Sequence, residues 1–198
     1  MARYPLLLIL FISIFQSATS QKIKFVNEKW EELDQDILLM EFRKQYDHIR
    51  DSFGLSRLKF NKTCDSVAKG HAIYMAKTGD YQHGKGSLNF VGKIEDILGR
   101  KLRGRFYENI FKVPTVTWPK KLRDDIPPGY IEKQIGDFEA SLFLGKDISY
   151  HDLVKSLIDG WMYSPGHRQC LLDEKSSQFS FACKTSSDNC FYACFNAF

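Results

Sequence analysis

The apolar positions of this chain fall into three helical stripes, a proline-interrupted gap and an aromatic tail. Residues 36–50 place Leu38, Phe42, Tyr46 and Ile49 at helical spacing, with Ile37 alongside, so one face of a helix is apolar. Asp34, just ahead, is a suitable N-cap. Residues 64–78 repeat the pattern with Cys64, Ala68, Ala72 and Met75, ending near Gly79. The small Ala68, Ala72 and Ala76 suit a helix lying close on something flat, such as a sheet. Residues 150–163 give the clearest stripe, through Leu153, Val154, Leu157, Ile158, Trp161 and Met162. Ser149-x-x-Asp152 has the form of a capping box, and Pro165-Gly166 stops that helix.

The tail reads as two strands. Phe179, Phe181 and Cys183 alternate, residues 186–189 make a turn, and Cys190 to Phe198 is aromatic-rich. Both faces are apolar there, as in a sheet covered on each side by helices. Between Phe111 and Lys146 the periodicity dissolves. Pro114, Pro119 and Pro127-Pro128-Gly129 predict a long loop over 111–146, of the kind that is functional or mobile in a compact domain. No internal repeat interrupts the chain.

The first twenty residues change the compartment. Arg3 precedes an apolar run from Leu6 to Phe15, and Ser17-Ala18-Thr19-Ser20 offers small residues for cleavage. That is the layout of a secretory signal over residues 1–20, too short in its apolar part for a membrane span. Residues 21–198 then form one domain. The expectation is a secreted, extracellular monomer without a transmembrane segment.

Charge adds little. The chain has 28 Lys+Arg against 24 Asp+Glu. The basic clusters at Arg100-Lys101, Arg103 and Arg105, and at Lys120-Lys121 with Arg123, lack the density of a nucleic-acid stripe, so no nucleic-acid partner is expected. Five cysteines (64, 170, 183, 190 and 194) in an oxidising compartment favour disulfides over zinc ligation. Three of them crowd the C-terminus, which predicts at least one local bridge, with the connectivity open. Asn61-Lys62-Thr63 is an acceptor triplet for N-glycosylation.

The chemistry-bearing candidates are His83, Glu108, Ser164 and His167. Neutral imidazoles with a carboxylate suit a divalent metal such as zinc, and the same groups can form a hydrogen-bonded acid–base cluster. A lone histidine in a turn is ordinarily a surface residue, and Ser-Pro-Gly is an ordinary turn. Their order along the chain carries more weight than any one of them.

The segments Met75-Ala76-Lys77-Thr78-Gly79-Asp80-Tyr81-Gln82-His83, Glu108-Asn109-Ile110 and Trp161-Met162-x-Ser164-Pro165-Gly166-His167-Arg168 together resemble the CAP superfamily. That superfamily comprises cysteine-rich secretory proteins, antigen 5 and pathogenesis-related proteins, and its domain is the SCP domain. The likeness runs from about Asp36 to the C-terminus, outside the proline-rich loop. It implies an α+β fold: a three-layer α-β-α sandwich with a central antiparallel sheet and a shallow cleft. The cleft motif carried over is His83, Glu108 and His167, with Ser164 beside it and with His83 and His167 as the metal ligands. The family's second acid corresponds to a stretch where this chain has Ser164, with Asp159 a turn before Tyr163. Tyr107 stands where the family usually has Gly, and the 111–146 loop is longer than most members carry.

The resemblance implies a non-enzymatic extracellular binding or effector protein with a lipid, sterol or protein partner. It implies no required cofactor, with weak zinc binding admitted. The alternative is a hydrolase using Ser164 with a histidine base, or a metal-activated water. Ser164 lacks a nucleophile elbow, and Pro165 removes a backbone donor beside it. A third reading makes the His–Glu–His network a structural brace.

Overall fold

Two helix caps read from the sequence are in place. Asp34 accepts the N–H groups of Asp36 and Ile37 at 3.0 and 3.1 Å, and Ser149 accepts that of Asp152 at 3.0 Å. The structure, a computed structural model, describes residues 21–27, 29–84, 89–103, 106–113 and 136–198. The secretory-signal segment 1–20 lies outside them.

In chain order the elements are β1 (Lys22–Ile23), β2 (Phe25–Val26), β3 (Lys29–Trp30) and helix α1 (Gln35–Ser52). Then come β4 (Lys59–Phe60), α2 (Asp65–Thr78), α3 (Phe90–Leu98), β5 (Tyr107–Val113) and α4 (Asp137–Leu144). The chain ends with β6 (Ile148–Ser149), α5 (Tyr150–Tyr163), α6 (Pro165–Leu171), β7 (Gln178–Thr185) and β8 (Phe191–Ala197). Among the described residues, no helix is long and apolar enough to cross a membrane.

The principal sheet has the order β4-β7-β8-β5. β7 and β8 are antiparallel, as are β8 and β5, whereas the two-residue β4 pairs parallel with β7. The expected antiparallel sheet therefore carries one short parallel edge. Strand alternation assigns the two layers. Phe179, Phe181, Cys183, Phe191, Ala193 and Phe195 join the main core with residues of α1 and α5. On the other face Ala182, Tyr192 and Cys194 pack against Ala68, Ala72, Met75 and Ala76 of α2. The small alanines let α2 lie close on the sheet, as their spacing predicts. Helices on both faces make the expected α-β-α sandwich.

Three sequence expectations change. The stretch 111–146 is not loop throughout. Phe111 to Val113 belong to β5, and Asp137 to Leu144 form α4. β5 owes its form to pairing with β8 over seven residues, a tertiary effect. The apolar residues of α4 surround its axis without forming one stripe. Residues 114–135 lie outside those described.

The expected C-terminal disulfide is not formed: Cys183 and Cys194 are free thiols, as are Cys64 and Cys170. Cys183 faces α1 and α5, whereas Cys190 and Cys194 face α2. Cys190 and Cys194 share a face but lie four residues apart, a rise of about 13 Å along extended chain, beyond bridging distance.

Pro165 does more than stop a helix. Ser164 is extended (ψ 120°), and Pro165 opens α6 as its first residue. In the acceptor triplet, the Asn61 amide is hydrogen-bonded. Its Nδ2 donates to Gln178 Oε1 at 2.5 Å and its Oδ1 accepts the Cys64 N–H at 2.9 Å. A glycan there would replace the first of these bonds.

The main core turns on Phe42. It is fully buried and stacks on Phe181, with ring centroids 3.8 Å apart and planes 10° apart. It also meets Tyr46, Trp161, Phe179 and Phe195. Phe42→Ala is expected to cost about 3–5 kcal/mol, read from urea unfolding, because five aromatic neighbours cannot all close the cavity.

Candidate functional site

Three elements bring the motif residues together. α2 ends at Gly79, whose φ of +72° turns the chain back over β5. Asp80 then accepts from Tyr74 Oη at 2.7 Å and Gln82 Nε2 at 2.6 Å, and Tyr81 Oη donates to the Ile110 carbonyl at 3.2 Å. This clamp sets His83 beside β5.

In β5 the pleat divides Glu108-Asn109-Ile110 between two layers. Glu108 and Ile110 face α2. Asn109, fully buried, faces the other way and donates to the His167 carbonyl at 2.9 Å. The Ile110 carbonyl also accepts the Trp161 indole N–H at 3.0 Å, which ties α5 to the same strand. His167 is the third residue of α6, so the extended Ser164 and the Pro165 start determine where it stands.

Glu108 is the centre. Its side chain is 8% exposed. One oxygen, Oε2, lies 3.0 Å from His83 Nδ1 and accepts the Gly84 N–H at 3.2 Å. The other, Oε1, lies 2.7 Å from Nδ1 of His71, a fully buried residue of α2. The His83 and His167 rings are 6.3 Å apart between centroids. Thus the structure brings His83, Glu108 and His167 to one place.

Burial by itself would raise the Glu108 carboxyl. The contacts with His71 and His83, the His71 charge and the Gly84 N–H outweigh it and hold the group down to about 2. His167 moves below the usual imidazole value, first through burial and then through repulsion by His83, so its neutral, ligating form is favoured.

Two residues deserve separate placement. Among the described residues, no side chain hydrogen-bonds the Ser164 hydroxyl. Asp159, the acid offered by the sequence near the family's second acidic position, is exposed and pairs with Lys155 on the outside of α5. It is not in the cleft. Sequence reasoning missed His71. The signal was available: position 71 lies three residues after Ala68 and four before Met75, on the buried stripe of α2. A histidine there requires a polar partner inside the protein.

This constellation on an α-β-α sandwich defines an SCP-type domain. The cysteine-rich secretory protein family (CAP) matches residues 44–196, and the chain belongs to that family. No curated protein matches it in sequence. The fold is similar to an outer surface protein from Borrelia burgdorferi, at 12% identity and a TM-score of 0.53, covering 84% of this chain and 96% of that one. A cysteine-rich secretory protein from Staphylococcus aureus aligns at 16% identity and a TM-score of 0.49, over 85% of this chain and 40% of that one. An SCP-domain extracellular protein from Bacillus anthracis aligns at 16% and 0.49, over 81% and 40%.

A carboxylate held down in the folded state stabilises it above the unfolded value, and that contribution is lost as pH falls toward the folded value. For Glu108 the window runs from 4.5 to about 2. Glu108→Gln is expected to lower stability at neutral pH by roughly 3 kcal/mol. The gap from wild type should narrow through that window in urea melts. A gap independent of pH would assign the loss to packing instead of charge.

Proposed function

We propose that the protein is a secreted, extracellular binding or effector protein whose partner is a lipid, a sterol or another protein, and that it does not work as a hydrolase. The supporting observation is the state of Glu108. Oε2 is engaged by His83 and the Gly84 N–H, Oε1 lies against the His71 ring, and the carboxyl is held down to about 2. General acid–base catalysis wants a group near the working pH, which this one is not. A Glu108-oriented His83 would still need a nucleophile, and Ser164 is not bonded to it. The leader-like residues 1–20 and the family support the extracellular setting.

In the cleft, Glu108 sits against Nδ1 of His83, the arrangement in which a carboxylate orients a metal-ligating imidazole. His83 and neutral His167 fit a divalent cation such as zinc, bound weakly for want of a second acid and not needed for folding. Isothermal titration of zinc should show binding that His167→Ala weakens at least tenfold, by roughly 1.4 kcal/mol or more. No effect of that substitution would remove His167 from the site.

One groove supports the lipid version. It has a volume of about 610 Å³ between α1 and α5, with Ile49 and Ile158 among its lining; Lys44 on its wall would meet an anionic headgroup, which Arg57 and Lys155 join only by giving up their pairs with Asp51 and Asp159. Titration with a fluorescent fatty acid should saturate, and Lys44→Glu with Lys155→Glu should weaken it. A sterol titrated alongside tests the neutral alternative. Failure of both to saturate would leave the protein partner as the reading.

A further inference from the structure

Beneath the cleft lies a second group of ligating atoms. His71 Nδ1, a Glu108 carboxylate oxygen and Cys194 Sγ all lie within 4.8 Å of one another. His71 and Cys194 are fully buried. They come from α2, β5 and β8, and they meet because Cys194 lies opposite Ile110 on the α2 face of the sheet.

The His71 ring shows what this group lacks. Its Nε2 stands 3.1 Å from the Gln82 carbonyl, which can only accept, so Nε2 carries a proton. With a single ring proton, Nδ1 then presents a lone pair to Glu108 Oε1, 2.7 Å away. A lone pair does not rest against a carboxylate in a buried site without a cation between them. A second ring proton is one such cation. The contact lacks hydrogen-bond alignment, however, which leaves Nδ1 a buried polar atom without a hydrogen-bond partner. Cys194 Sγ lies 3.9 Å from the same Oε1.

We propose that His71, Glu108 and Cys194 form a buried site for a borderline-soft divalent cation such as zinc, separate from the His83–His167 pair above it. The donor set of imidazole nitrogen, carboxylate oxygen and thiolate sulfur is one that zinc takes. The Nε2 bond to a backbone carbonyl fixes the ring as second-sphere partners do in metal sites. Tetrahedral zinc holds such atoms about 3.3–3.6 Å apart. The His71–Glu108 distance would therefore open by roughly half an ångström, and the Glu108–Cys194 distance would close by less. Cys194 binds as thiolate, its proton passing to solvent. Three protein donors would leave a fourth tetrahedral position for water. Cys194 thus has a role as a ligand that the sequence, reading its cysteines as bridges, did not give it.

Cobalt(II) reports the site without any assay of activity, because a cobalt–thiolate bond absorbs in the near ultraviolet. Titration of the reduced full-length protein should produce that band at one equivalent. It should be lost in Cys194→Ala and Cys194→Ser, survive in Cys170→Ser, and survive in His167→Ala. The last variant separates this site from the cleft pair, whose failure to bind zinc would leave the band intact. Thermal melts provide a second reading: zinc should raise the Tm of wild type and His167→Ala but not of Cys194→Ala, each checked as folded by circular dichroism. A folded wild type with no thiolate band, or a band unchanged in Cys194→Ala, would overturn the proposal. It would then assign the cation beside Oε1 to the second proton of His71.

Discussion

The site depends on burying one carboxylate. A charged Glu108 inside the protein is tolerable only if its oxygens are met by donors or cations, since desolvating an unpaired carboxylate costs several kcal/mol or more. The groups around it come from separate parts of the chain: the His71 ring from α2, and His83 and the Gly84 N–H from the segment that follows it. The position of that segment over β5 is therefore a condition for Glu108 to be buried at all. The clamp of Tyr74, Asp80 and Gln82, with Tyr81 on the Ile110 carbonyl, supplies it. Structural brace and ligand site are in this respect one arrangement: the contacts that satisfy Glu108 also fix the ring of His83.

What the sequence revealed of this follows from the range of the interactions. α1, α2 and α5 were legible because each buries one stripe, and the stripe is written at the spacing of its own turns. β7 and β8 were legible because alternation and aromatic content are local. β5 was not, since its strand form comes from β8, some eighty residues on. α4 was missed because apolar residues on several of its sides give no period to detect. The short α6 was hidden by the Ser-Pro-Gly that opens it, which equally suits a turn. Of the site, the three motif residues were legible through their order and context. His71 was not, because its role is defined only by a residue on another element. The cysteines misled for the same reason: spacing along the chain suggested bridges, and the pleat sends Cys183 to the opposite face from Cys194.

The missing second acid sets the character of the cleft. Asp159 points outward to Lys155, and the α5–α6 junction offers only Ser164. One carboxylate, already engaged, faces the imidazoles of His71, His83 and His167. The balance is therefore tilted against cations at the rim, where burial, and then repulsion by His83, already keep His167 toward its neutral form. A cation gains more by sitting deeper, against the carboxylate itself, than between the exposed His83 ring and the partly buried His167 ring.

That gradient explains why the tripeptide Glu108-Asn109-Ile110 is the hinge of the fold's chemistry. β5 is an edge strand, and an edge leaves backbone groups in search of partners. Here the Ile110 carbonyl takes two side-chain donors, the Trp161 indole and the Tyr81 hydroxyl, in place of a further strand. The Tyr81 hydroxyl comes from the segment that carries His83, and the Trp161 indole from α5, which runs through Ser164 into the α6 that carries His167. Asn109 adds the His167 carbonyl, and Glu108 adds the His83 ring. Closing the sheet edge and converging the two histidines are consequently the same set of bonds. A substitution that loosened the edge would be expected to part the histidines before it disturbed the aromatic core on the other side of the sheet.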